Sequence, residues 1–95
     1  MFTGIIEGTG IVKSVVNRDK ASQVEIQAHF DLADTNVGES LAVNGCCLTI
    51  TSRLGNTVWV DISEETAQMS TLGVIRADDW LNLERPLRYG GRAGG

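Results

Sequence analysis

Residues 23–30, QVEIQAHF, alternate strictly, with Val24, Ile26, Ala28 and Phe30 on one side and Glu25, Gln27 and His29 on the other. A period of two belongs to a half-buried β-strand. Similar reading predicts strands over 11–16, 39–43, 46–53, 57–62 and 80–85, the last ended by Pro86. Asn44-Gly45 and Gly55-Asn56 are residue pairs suited to two-residue hairpin turns, where positive φ is required. Residues 39–62 are therefore expected to form three consecutive antiparallel strands. Gly8-Thr9-Gly10 lacks the third glycine of a dinucleotide-binding loop and opens no helix, so it reads as a turn. Over 63–72, SEETAQMSTL, the period changes to that of a helix. Ser63 suits its N-cap, Glu64 and Glu65 its positive end, and Gly73 a left-handed exit. Residues 31–37, DLADTNV, are expected to make a short helical turn. Six short strands with one or two short helices predict an all-β fold, a small closed or nearly closed barrel that hides its strand edges.

Composition narrows the function classes. A chain of 95 residues suits one domain, and at this size roughly 65% of the unfolded surface is buried. The net charge of −4 opposes nucleic-acid binding, which needs a basic surface. Eight Lys and Arg are scattered along the chain, and the late trio Arg85, Arg88 and Arg92 reads as a solvated terminal segment. No apolar run approaches the ~20 residues of a membrane-spanning helix, and MFTGIIEGTG lacks the form of a signal peptide. A cytoplasmic protein without membrane or nucleic-acid partners is the default expectation. Residues 1–88 are assigned to the barrel. Residues 89–95, rich in glycine, read as a linker or a segment continuing into something else.

The only two cysteines are adjacent, Cys46-Cys47. On a strand, neighbours face opposite ways, and a disulfide between them would need strained geometry. One histidine and two cysteines do not complete a zinc ligand set, so no metal is expected. The plain reading is two small buried hydrophobes. His29 falls on the polar face of its strand, and nothing in the spacing makes it part of a serine–histidine triad.

Four segments carry a resemblance. MFTGIIEGTG, VNGCCLTI, DISEET followed by STLG, and LNLERPL together resemble the N-terminal half of riboflavin synthase, in the family's order and approximate separation. The resemblance implies a six-stranded antiparallel Greek-key barrel, one of two in tandem. It also implies a reaction in which two molecules of 6,7-dimethyl-8-ribityllumazine dismutate. One donates a four-carbon unit to the other, giving riboflavin and 5-amino-6-ribitylaminopyrimidinedione. No metal or redox cofactor is implied, because the substrate supplies its own electron sink. Each barrel is expected to bind one lumazine or riboflavin, with the whole site lying between barrels of different subunits. A homo-oligomer follows, as a dimer of such barrels or a trimer of the full-length enzyme.

Carried onto this sequence, the resemblance places binding at Gly4, Ile5 and Ile6, at Cys47, Leu48 and Thr49, and at Asp61, Ile62, Ser63, Glu64, Glu65 and Thr66. Backbone groups in the first two segments would pair with the uracil-like edge of the ring. The polar groups near the helix start would meet the ribityl chain, Ser63 also serving as an N-cap. Phe2, Ser40 and Cys47 match positions linked to catalysis. Phe2 would order the N-terminal segment or pack in the core; Ser40 would donate a hydrogen bond or relay a proton. Cys47 would hydrogen-bond the ring, shield its acidic methyl group or act covalently, leaving Cys46 to packing. With one barrel alone, turnover is doubtful. The alternative is a non-catalytic carrier resembling lumazine protein, against which the NGCC run favours the synthase.

Overall fold

The computed structural model describes residues 2–87. The 88/89 boundary and the glycine-rich tail proposed from sequence lie outside those residues, as do Arg88 and Arg92. Six strands form a closed antiparallel barrel: β1 (Gly8–Asn17), β2 (Ala21–Ala28), β3 (Ser40–Val43), β4 (Cys46–Leu54), β5 (Thr57–Ser63) and β6 (Trp80–Glu84). Around the wall their order is β1-β2-β5-β4-β3-β6. The meander β3-β4-β5 with β2 beside β5 is a Greek key. A short helix α1 (Glu64–Met69) and a 3-10 turn (Thr71–Val74) connect β5 to β6.

Alternation does the packing. Val24, Ile26 and Ala28 of β2, Val58, Val60 and Ile62 of β5, and Leu81 and Leu83 of β6 all point inward and are buried. Burying each of the Val, Ile and Leu side chains contributes about 1.5–3 kcal/mol. The Asn44-Gly45 turn takes positive φ at both positions, 50° and 84°, as the pair predicts. In the second turn only Gly55 does, at 61°. There the Asn56 side chain has another task, accepting the Leu32 N–H at 2.9 Å.

Four expectations are corrected. Gly8 and Gly10 belong to β1 rather than to a turn. A Cβ on Gly8 would come within 2.4 Å of the Phe30 ring, and one on Gly10 within 2.7 Å of Leu83. These glycines let side chains close over the strand. Residues 31–37 form turns and no helix; Leu32 and Thr35 are buried there, so the loop is held by tertiary contact. Gly73 is not a left-handed exit, since its φ is not positive. The helix ends at an extended Ser70. Gly73 sits within the 3-10 turn, where a Cβ would lie 2.5 Å from the Ala67 carbonyl oxygen. Arg85 is not a solvated end residue, because only 10% of its side chain is exposed.

The backbone contact at Gly73 cannot relax by a rotamer change. Gly73→Ala is therefore expected to lower the unfolding free energy by about 1–3 kcal/mol. Urea unfolding followed by tryptophan fluorescence measures this, and an unchanged midpoint would contradict the close-contact account.

Candidate functional site

The β4–β5 ladder runs from Leu54↔Thr57 to Ile50↔Val60, with a bulge at Thr51, and stops. Beyond that point Cys46, Cys47, Leu48 and Thr49 pair only with β3, as Val43↔Cys46, Ala42↔Cys47, Leu41↔Leu48 and Ser40↔Thr49. Asp61, Ile62 and Ser63 pair only with β2. The two strands leave an opening in the barrel wall. The Ile50 N–H donates to Glu39, toward the β3 side. Backbone direction alternates along a strand, so the N–H and C=O of Cys47 face the opening.

The same alternation separates the cysteines. Cys46 is half-buried and packs against the core, whereas Cys47 is exposed. Thr49, Asp61 and Ser63 are exposed beside it, while Leu48 and Ile62 send their side chains inward and are buried. Neither side chain is available at the outer face, and by the same alternation their backbone groups point to β3 and β2 rather than into the opening. Ser40, opposite Thr49, is half-buried, as is Phe2; Glu64 and Glu65 are exposed on the first turn of α1. Ser63 caps that helix, accepting the Thr66 N–H at 3.1 Å and donating its hydroxyl to Thr66 Oγ1 at 2.9 Å. The hydrogen that this pair presents outward is therefore that of the Thr66 hydroxyl.

The N-terminal segment lies one strand away. Glu84 pairs with Ala42 across β6 and β3, and Ala42 pairs with Cys47 across β3 and β4, so the three form one row on the outer face. Glu84 binds the segment over that row. Its Oε2 accepts the Thr3 N–H at 2.6 Å and the Thr3 hydroxyl at 2.7 Å, and its Oε1 accepts the Gly4 N–H at 3.1 Å. Ile5 N–H donates to Thr3 Oγ1 and Glu7 N–H to the Leu83 carbonyl. Thus among the described residues from Thr3 to Glu7, only the Ile6 N–H meets no acceptor. A cavity of about 290 Å³ lies beside it, lined by Gly4, Ile6, Ala42, Gly45, Asn82 and Glu84 among others.

Arg85 fixes the far end of the segment. Its guanidinium reaches both Glu7 oxygens, Asp34 and Thr35 and lies 5.3 Å from the Phe30 ring centroid. This multidentate arrangement uses the planar fork that a lysine lacks. Beside Glu7 the Arg85 pKa is raised further, chiefly by that hydrogen bond. His29, next to Phe30 in the chain, is exposed, as its alternation predicts. Its Nδ1 lies 3.0 Å from Thr9 Oγ1 and its ring meets that of Trp80 at a tilt of 53°, with centroids 4.8 Å apart, so its partners are not among the expected site residues.

Residues 3–86 match the lumazine binding domain. The chain belongs to the lumazine-binding domain family. It is 39% identical over 95 residues to the riboflavin synthase of Actinobacillus pleuropneumoniae, covering all of this chain and 44% of that protein. To the riboflavin synthase of Bacillus subtilis it is 40% identical over 95 residues, with coverage of 100% and 44%. The chain thus spans about half the length of the relatives it matches. A crystal structure of LumP complexed with 6,7-dimethyl-8-(1'-D-ribityl) lumazine superimposes with a TM-score of 0.80 at 30% identity, over 90% of this chain and 49% of that one. The family match includes every binding residue expected from the sequence and both Glu84 and Arg85, which the sequence reading left without a role.

The Thr3 hydroxyl holds the Glu84 carboxylate below its ordinary value of 4.5, with the Thr3 and Gly4 N–H groups adding to the effect; burial and the neighbouring Glu7 charge oppose it. A depressed folded-state pKa means that the contribution is complete above 4.5 and is lost as pH falls through the lower folded value. Stability and amide protection at Thr3 and Gly4 are expected to fall in that acid window, and Glu84→Gln to flatten the dependence. Thermal melts and amide exchange from pH 7 to 3 measure both. Identical pH profiles for the two proteins would refute the assignment.

Proposed function

We propose that this barrel binds one 6,7-dimethyl-8-ribityllumazine or riboflavin at the β4–β5 opening, as the N-terminal half of a riboflavin synthase. The observation that carries the reading is the Cys47 N–H and C=O turned into a gap in the ladder. An imide edge offers an adjacent C=O and N–H, and an unpaired strand residue offers the complementary pair. The Ile6 N–H supplies a further donor from the N-terminal segment, with Gly4 and Ile5 shaping its approach. The Thr66 hydroxyl and the Asp61 carboxylate suit the ribityl hydroxyls, near Ser63, Glu64 and Glu65. LumP, with a similar barrel, is seen with the lumazine bound.

In this reading the reaction transfers a four-carbon unit between two lumazines, and the protein contributes mainly position and proton transfer. No metal or redox cofactor takes part. Ser40 and Cys47, on neighbouring strands of the outer face, are placed to hydrogen-bond the ring, and Phe2 to order the segment against a second barrel. That barrel brings the second lumazine. The isolated chain therefore binds and self-associates in the cytoplasm but turns over slightly or not at all. A carrier without catalysis is the second reading, favoured by the likeness to LumP. Identities of 39–40% to the two synthases, against 30% to LumP, support the first.

Fluorescence titration is expected to saturate with both ligands at micromolar concentration. Absence of binding at high micromolar concentration would reject the reading, and rapid riboflavin formation by the isolated chain would reject the half-site account. Cys47→Ser should keep binding, because the backbone makes the contact. Cys47→Pro removes an N–H that faces the opening rather than β3. It should weaken binding by roughly two- to tenfold, the worth of one hydrogen bond, while circular dichroism still shows the barrel.

A further inference from the structure

Glu84 occupies an outward position of β6, between inward Leu81 and Leu83 and the end of the strand. It is nevertheless only 8% exposed. What covers it is the N-terminal segment, whose three donors satisfy both carboxylate oxygens. The ion pairs among the described residues are made by Arg85 with Glu7 and Asp34, so the Glu84 charge is held by hydrogen bonds from the segment. Charge-assisted bonds of this kind are about twice as strong as neutral ones.

Apart from half-buried Phe2, little else holds that end of the segment. Ile5 and Ile6 are 72% and 55% exposed, so burial of their side chains does not fasten it. Gly4 has φ of +81°, a conformation the segment must keep for its N–H to reach Glu84. Arg85 and the Leu83 carbonyl secure only Glu7. The position of the Ile6 N–H is therefore fixed from both sides, by Glu7 after it and by Glu84 through Thr3 and Gly4 before it. Ala42 alone separates Glu84 from Cys47 in the row across β6, β3 and β4.

We infer that Glu84 is a positioning residue of the ligand site, holding the N-terminal segment so that the Ile6 N–H and the Cys47 backbone address one bound ring. The inference rests on the proposed lumazine or riboflavin binding. Glu84 touches no ligand in this account; it acts through Thr3 and Gly4.

Riboflavin titration of the full chain at pH 7 and 25 °C tests it, with thermal melts as a folding control. Glu84→Ala is expected to weaken affinity by about tenfold or more, the factor that loss of a charge-assisted hydrogen bond implies. Glu84→Gln, which keeps one carbonyl acceptor, should restore part of the loss. Thr3→Val should weaken binding alone yet add little in the Glu84→Ala background, since both changes release the same segment. Wild-type affinity in folded Glu84→Ala would overturn the inference while leaving the functional reading intact. Failure of the unaltered chain to bind riboflavin would overturn both. If Glu84→Ala does not fold, Glu84→Gln and Thr3→Val decide: unchanged affinity in both overturns the inference, and weakened affinity in both supports it.

Discussion

Strand β6 closes the barrel, and the two charged residues at its end organise what lies outside it. Its five residues pair with Gly8–Ile11 of β1 and with Ala42 and Val43 of β3, while Asn44 and Asn82 exchange two further bonds. Closure removes the sheet edges that would otherwise invite pairing with another chain. At the last turn of the wall, Glu84 takes the start of the N-terminal segment. Arg85 takes its end and the 30s loop. A mixed set of short elements becomes one surface because a single strand end reaches both. A glutamate and an arginine side by side achieve this by pointing to different partners rather than to each other.

Where β6 completes the wall, β4 and β5 leave it incomplete. The Thr51 bulge falls just before the ladder ends at Ile50↔Val60, and bulges increase local twist and bend a strand. The bend carries Cys46–Thr49 away from β5 without disturbing their pairing to β3. Inward Leu48 and Ile62 keep the core sealed beneath the gap. The opening therefore exposes backbone groups without exposing a cavity, and it costs little because water reaches those groups. This is a chemically specific surface made from a strand that has lost a partner on one side only.

The strands were legible because side-chain alternation is a local signal, as was the separation of Cys46 from Cys47. The Asn44-Gly45 turn was legible for the same reason. Gly8 and Gly10 carry no side chain and so no pattern, and their role appears only when Phe30 and Leu83 arrive from elsewhere in the chain. Glu84 drew no reading of its own from the strand pattern over 80–85. Its partners Thr3 and Gly4 lie 81 and 80 residues away in sequence, and no local motif announces them. Arg85 was misplaced for a related reason, because basic residues near a glycine-rich end read as solvated unless Glu7 and Asp34 are known to meet them. The site segments came from family resemblance. Alternation adds which of them turn backbone groups toward the opening, as Cys47 does, and which, as with Leu48 and Ile62, bury their side chains and pair with the neighbouring strand.

An exposed backbone pair has a limited power to bind. In water each hydrogen bond exchanges for another and nets only about 0.5–1.5 kcal/mol, so Cys47 and Ile6 supply orientation more than affinity. Affinity for a flat heterocycle must come from covering its faces, at about 25 cal/mol per Å² of apolar surface removed from water. On this barrel one face is covered by the exposed Cys47 side chain and by the exposed Ile5 and Ile6 of the N-terminal segment, since Ala42 is itself buried. The far face of the ring is left to whatever docks there. In the proposed reading a second barrel brings its own ring to that face, so the surface that completes binding is also the reactant. In that reading the barrel holds the ring edge alone but needs its neighbour for the chemistry.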